Sequence, residues 1–184
     1  MSQYPLRNVV RIILLNENNE LLLMCIDDPQ TKPIKEKYKG PFWTLVGGEI
    51  KKEETLLEAA TRELFEETGI NKKNVLFGPV VWFGEFDLLV YGKPTHMKQT
   101  FIVAKTKQKD VFLAKLTASE KKTVKNLVWF SLEKIMNRGE IIYPIVLPDY
   151  LPNIIKEIYP KKPIKINLKL PMTDSGHNSV ITRL

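Results

Sequence analysis

The sequence predicts a layered α/β domain, and three observations carry that expectation. Six apolar, strand-like runs outnumber the helical segments. The two main helical segments, near 56–68 and 150–159, are placed to cover opposite faces of a sheet. With 184 residues and 43% hydrophobic content, the chain has the size and the apolar surface of one ordinary domain with its own core.

The elements follow in chain order. The apolar run Val9 to Leu15, interrupted by Arg11, ends in the turn-like NENN and predicts a strand over 7–15. It is too short for a membrane span and lacks a signal peptide's small-residue cleavage site, so a soluble, cytoplasmic protein is expected. A second strand at 20–26 holds the single cysteine, Cys25, among the apolar neighbours of LLLMC. Cys25 has no intrachain disulfide partner and reads as a strand residue, not a nucleophile. Between Asp27 and Gly40 the loop-like DDPQTKPIKEKYKG carries Lys32, Lys35, Lys37 and Lys39. It is either a phosphate-steering lid, with Lys35 and Lys39 on the substrate, or a solvated loop.

A strand at 42–46 leads into the first helix. Further strands are expected at 75–91, with an internal break, at 99–106 and at 127–131. Trp43, Trp82, Phe83 and Phe86 lie on these strands, each either stacking a nucleobase or packing in the core; Trp82 is the substrate-binding candidate. His96, in an expected hairpin loop, and His177 lack metal-ligand partners at suitable spacing and read as surface residues. Ser131 caps a short helix at 132–138 that stops before Gly139. Leu151, Ile154, Ile155 and Ile158 recur at helical spacing, with Pro152 admissible in a first turn.

Residues 1–160 thus make the domain, and 161–184 an extension. In the extension, Ile164, Ile166, Leu168 and Leu170 alternate with polar residues between Pro163 and Pro171, which predicts a half-buried strand over 164–170. The turn-rich MTDSGHNSVITRL that follows predicts a mobile tail.

The most informative stretch is GEIKKEETLLEAATRELFEETGI, residues 48 to 70. Thr55 and Glu58 form a capping box that starts a helix, and Gly69 supplies the left-handed residue that stops it. At about 100° per residue, Leu57, Ala60, Thr61, Leu64 and Phe65 fall on one arc and Glu63, Glu66 and Glu67 on the other, with Arg62 at its margin. Like charges at these spacings cost an isolated helix roughly 0.2–0.5 kcal/mol per pair, so the acidic arc either binds cations or is a solvated face.

The spacing Gly48, Glu54, Arg62-Glu63-Leu64-x-Glu66-Glu67-x-Gly69-Ile70 resembles the signature of the Nudix hydrolases at every specified position. The resemblance implies an α/β/α sandwich with a mixed β-sheet. It also implies hydrolysis, dependent on Mg²⁺ or Mn²⁺, of a phosphoanhydride in a nucleoside diphosphate linked to another group. Carried onto this chain, Glu63, Glu66 and Glu67 look like metal ligands, Glu54 like an auxiliary carboxylate near the metals, and the Gly47 carbonyl like a further ligand. Arg62 looks like the residue that orients Glu66 by a salt bridge.

Many relatives carry proline where Val46 precedes the two glycines. LTASE and VWFSLEKI extend the likeness over residues 7 to 159, and Glu120 is the candidate general base outside the box. Proline markers of many ADP-ribose hydrolases are absent at Glu85 and Phe86, so the substrate is not readable.

The chain's formal charge is +7, yet residues 48 to 70 hold seven glutamates against three Lys or Arg, leaving about +11 elsewhere. That contrast suits an acidic metal site among cations that attract a polyphosphate. No nucleic-acid-binding signature appears, so no dedicated nucleic-acid partner is expected, and no membrane partner. A homodimer is one way to cover the extension's apolar strand. Two rivals remain: a Nudix-fold module that senses a nucleotide without cleaving it, and a prenyl diphosphate isomerase. The first usually lacks a box glutamate, and all are present here. The second needs an active-site cysteine, for which Cys25 is poorly placed.

Overall fold

Side-chain alternation along one strand organises the molecule. In the computed structural model, which describes residues 2–168 apart from 36, 114, 119 and 138, strand β1 (Leu6–Leu15) directs Ile13 and Leu15 into one core layer and Val10, Ile12 and Leu14 into another. The first layer is completed by Leu147, Leu151 and Ile154 of α4 (Leu147–Ile155) and Ile135 of α3 (Leu132–Met136); the second by Ala59, Ala60 and Leu64 of α1 (Leu56–Thr68). The result is a sheet between helices, as expected.

The sheet is mixed. Strand β6 (Lys93–Thr106) runs parallel to β1 over ten paired residues and antiparallel to β5 (Val75–Val90). Strand β2 (Leu21–Ile26) pairs with β1 only at Leu15–Leu21, then takes β4 (Phe42–Leu45) and β7 (Val124–Phe130) as antiparallel partners. Two-residue strands β3 (Lys32–Pro33) and β8 (Ile142–Tyr143) border β5 and β4.

Several expectations shift. Strand β6 begins at Lys93, not 99, because Tyr91 and Gly92 adopt positive φ (50° and 76°) and close a two-residue hairpin turn. His96 therefore lies in a strand, its Nδ1 2.7 Å from Asp87. The break in 75–91 is a pair of register shifts between Phe77 and Trp82, around Pro79, which has no N–H for the ladder. Helix α4 starts at Leu147, so Pro152 is interior, and Glu157 (φ 58°) ends it before Ile158, which is 59% exposed. Among the described residues, no helix is long and apolar enough to cross a membrane.

The buried face of α1 is also rotated from the predicted arc. Ala59, Ala60, Glu63, Leu64, Glu67 and Thr68 are buried, whereas Leu57 is 43% exposed. Thr55 and Gly69 cap the helix as expected, Gly69 with φ 73°.

The extension docks within the chain. Strand β9 (Ile164–Lys165) pairs in parallel with Trp82 and Phe83, and the Ile166 N–H donates to the Phe83 carbonyl at 2.9 Å. Ile166 and Leu168 are buried while Ile164 is 39% exposed, so the apolar alternation begins to bury only after the strand pairing. Leu170 and the tail to 184 lie outside the described residues. Burying Ile166 and Leu168 contributes roughly 1.5–3 kcal/mol each. Deleting residues 161–184 is therefore expected to lower the melting temperature by several degrees or more, since 1 kcal/mol corresponds to about 2–4 °C at this size. An unchanged melting curve and oligomeric state would show that the segment is only an appendage.

Candidate active site

The site is assembled by the loop that leaves β4. Its backbone runs along β1: Ile12 N–H donates to Val46 O (2.9 Å), Val10 N–H to Gly48 O (3.0 Å) and Ile50 N–H to Asn8 O (2.9 Å). Within this ladder Gly47 has φ +123°, and a Cβ there would stand 2.3 Å from the Val10 carbonyl oxygen. Only glycine fits.

The Gly47 peptide faces two charged side chains. Its N–H donates to Glu67 Oε2 at 2.6 Å, and its carbonyl accepts from Arg11 Nη1 at 2.8 Å. Arg11 also donates to Leu45 O at 3.2 Å, and its Nε is buried without a hydrogen-bond partner among the described residues. Burial lowers the Arg11 pKa, opposed by the nearby Glu67 charge. Arg11 was legible only as a charge interrupting an apolar run, and it proves to be the clamp on the glycine loop. Glu67 is 5% exposed; burial pushes its carboxyl up to about 8 against the Gly47 hydrogen bond, with Glu63 adding to the rise and Arg11 opposing it.

Arg62 gathers the remaining acids. Its Nε and Nη2 hold Glu54 at 2.7 and 2.8 Å, and its Nη1 reaches Glu63 at 2.6 Å and Glu66 at 3.2 Å. The expected Arg62–Glu66 pair is thus present, but the longest of the set. The repulsion anticipated along the acidic arc is relieved by this internal cation. Arg62 holds the Glu54 carboxyl down at about 2, while burial raises that of Glu63 despite Arg62. Glu54 is tied to Arg62 and to the Lys51 N–H (3.0 Å), and is not among the residues lining the cleft described next.

These groups open into a cleft of about 580 Å³. Arg7, Arg11, Glu63, Glu66, Glu67 and Glu120 line it, as does Gly47. Glu120, at the start of α2 (Glu120–Thr123), accepts the Thr117 N–H at 2.8 Å, so it caps its short helix and also faces the cleft, close enough to raise the carboxyls of Glu63 and Glu67.

Two of the three proposed substrate contacts do not reach the cleft. Trp82 is 2% exposed and packs on Phe101 and Tyr150 (centroids 5.9 and 5.4 Å), because the register shift before it in β5 turns it, with Val81, into the α4 layer. Lys35 is exposed away from the lining, whereas Lys32, Lys37 and Lys39 belong to it. The aromatic residues that do line it are Tyr38, Phe42, Phe86, Tyr91 and Tyr143. Cys25 is half-buried in β2 and off the cleft.

The donor set suits a hard divalent cation, since it is all oxygen, from carboxylates and the Gly47 carbonyl. The cradle is tight: a Cβ on Gly48 would lie 2.5 Å from the Glu63 carboxyl. Among the described residues, however, no three acidic, histidine or cysteine side chains stand together in metal-holding geometry. Glu63 and Glu66 point to Arg62 and Glu67 to the Gly47 N–H, so the carboxylates must turn to take up an ion.

If the lysines steer a phosphorylated ligand, replacing Lys32, Lys37 and Lys39 by glutamine is expected to raise KM at low salt with kcat nearly unchanged, because exposed charges act over about 8 Å at physiological ionic strength and before the chemical step. Replacing Lys35 should do nothing. Steady-state kinetics at low and high salt checks this, and an unchanged KM at low salt in the triple variant rules steering out.

Comparison with known proteins gives a consistent picture. A family model described as NUDIX domain matches residues 5–150. The fold is similar to that of a MutT protein from Methanosarcina mazei Go1 (TM-score 0.55, 24% identity), covering 85% of this chain and 98% of that one. It is also similar to a C. elegans Ap4A hydrolase in a binary complex (TM-score 0.55, 19% identity, 83% and 97% covered). An ADP-ribose pyrophosphatase from Streptococcus suis is alike in the same way (TM-score 0.53, 14% identity, 87% and 98% covered).

Proposed function

The chain belongs to the NUDIX domain family, and from that premise we propose that it hydrolyses a phosphoanhydride in a nucleoside diphosphate linked to another moiety, with Mg²⁺ or Mn²⁺. The observation that carries this reading is the convergence on one cleft of Glu63, Glu66 and Glu67 with a glycine peptide clamped by Arg11.

A divalent ion, when bound, neutralises phosphate oxygens and lowers the pKa of water. Glu63, Glu66 and Glu67 would hold it, with the Gly47 carbonyl as a further oxygen, while Glu54 serves as the auxiliary carboxylate that anchors Arg62. Arg62 sets the positions of Glu63 and Glu66, while Arg11 keeps in place the glycine loop that holds Glu67. Lys39, with Lys32 and Lys37, attracts the polyphosphate. A proton leaves the attacking water to a box glutamate or to Glu120, whose carboxylate faces the same cleft. The products are a phosphorylated nucleoside and the other phosphorylated part.

Product release from a panel of nucleoside diphosphate derivatives, nucleoside triphosphates and dinucleoside polyphosphates, with Mg²⁺ or Mn²⁺, tests the proposal. Release from diphosphate derivatives supports it. Nucleotide binding without release from any member replaces it with a sensing role.

A further inference from the structure

One buried polar side chain in the cleft has no role in the scheme above. Gln99, on β6, is 8% exposed, and among the described residues its side-chain amide has no hydrogen-bond partner. The strand geometry explains why. Its cross-strand neighbours are Val9 on β1 and Gly84 on β5, and the residues two positions away on its own face are Met97 and Phe101. Leu168 covers Gly84 so closely that a Cβ there would meet its Cγ at 2.5 Å. These neighbours are apolar, while Arg7 and Arg11, paired with Met97 and Phe101, flank Gln99 diagonally on β1. The cleft, which Val9, Met97, Leu168 and Phe86 also line, is the polar side left to the amide.

Native structures pair nearly all buried polar groups, and a largely buried carboxamide that opens on a cleft without a protein partner is a group that a bound ligand can pair. The position fits the site already described. Val9, beside Gln99, is two residues along β1 from Arg11, a separation of about 7 Å, so a group reaching Gln99 can be joined to phosphates at the glutamates through a sugar. A carboxamide offers one donor edge and one acceptor edge side by side, which matches the adjacent donor and acceptor of a nucleobase edge. Apolar walls such as Met97, Phe86 and Leu168 take up a flat ring without discriminating it, and the hydrogen bonds supply the discrimination.

We propose that Gln99, enclosed by Met97, Phe86 and the docked Leu168, is the specificity residue that reads the base of the nucleotide substrate. This rests on the hydrolase reading above. It also gives the C-terminal extension a part in the site, since Leu168 closes the wall beside Gly84.

The test uses the full chain, with Mg²⁺, and Gln99→Met, which keeps the side-chain length and removes both hydrogen-bonding groups. Binding is measured by calorimetry for the four non-hydrolysable nucleoside α,β-methylene diphosphates and for methylenediphosphonate, which has no base. The expected result is a loss of at least about tenfold in affinity for the tightest nucleoside probe, unchanged affinity for methylenediphosphonate, and a melting temperature that does not fall. Equal nucleoside binding by both proteins overturns the assignment. So does a lower melting temperature with both probe types weakened, which marks Gln99 as structural. Wild-type protein that hydrolyses nucleotide derivatives yet binds none of the four better than methylenediphosphonate overturns the inference and leaves the hydrolase reading intact. A wild-type protein that hydrolyses none of the panel overturns that reading, and the inference with it.

Discussion

Glu66→Gln and Glu67→Gln are each expected to lower turnover by at least about 10²-fold while the fold survives, because each removes a charge that would hold a cation at the developing transition state. The two sites differ in burial, which makes the pair informative. Glu66 is a partly exposed side chain at the edge of the Arg62 cluster, and its loss leaves Glu54 and Glu63 bound there. Glu67 is buried, and burial already disfavours its charged form. A glutamine at 67 keeps an oxygen to accept the Gly47 N–H and removes that buried charge, so the melting temperature of the metal-free variant should not fall. Turnover at saturating Mg²⁺ and thermal melts check both statements. Near-normal turnover in both variants would sink the ligand assignment.

Gly47→Ala is expected to destabilise the protein by about 2–4 kcal/mol, combining backbone strain at φ +123° with overpacking against a carbonyl that cannot move aside. At this chain length that corresponds to a fall in melting temperature on the order of 10 °C. Turnover should drop by more than about tenfold as well, since a small displacement of the clamped peptide misplaces Glu67. Two other glycines calibrate the result. Gly40 also has positive φ (+103°) but open space around it, so Gly40→Ala should show the strain alone. Gly48→Ala meets the Glu63 carboxyl, a side-chain end that can turn, so it should cost activity more than stability. Thermal melts that place Gly47→Ala level with Gly40→Ala would contradict the clamped-loop description.

What the sequence disclosed and what it hid divide along physical lines. Helix α1 was legible because its limits are local chemistry: Thr55 and Glu58 cap each other, and Gly69 alone takes the left-handed turn cheaply. The box glutamates were legible through a fixed spacing on that helix. Which face of α1 is buried was not, because a helical wheel ranks side chains by polarity, and Glu63 and Glu67 are buried by the loop they face. Arg11 was hidden for the same reason. Its partners are main-chain carbonyls more than thirty residues away, and no local pattern encodes them. Trp82 was misplaced because strand alternation gives two faces without saying which one meets the cleft. Strands β3 and β8 are too short to leave any periodicity.

The grip of Arg62 on Glu54, Glu63 and Glu66 has a consequence for how the protein is made. In small metal-dependent domains, folding and metal loading are one event, because the ligands are unstable together without the ion. Here Glu63 and Glu66 of α1 are already held by an arginine of the same helix, Glu67 by the Gly47 N–H, and the helix carries its own caps. On the proposed metal dependence, a newly synthesised chain is therefore expected to complete its architecture in a metal-poor environment and to acquire the ion afterwards. Chelation should leave a folded, dormant protein that is restored by adding the ion back, with no need to refold.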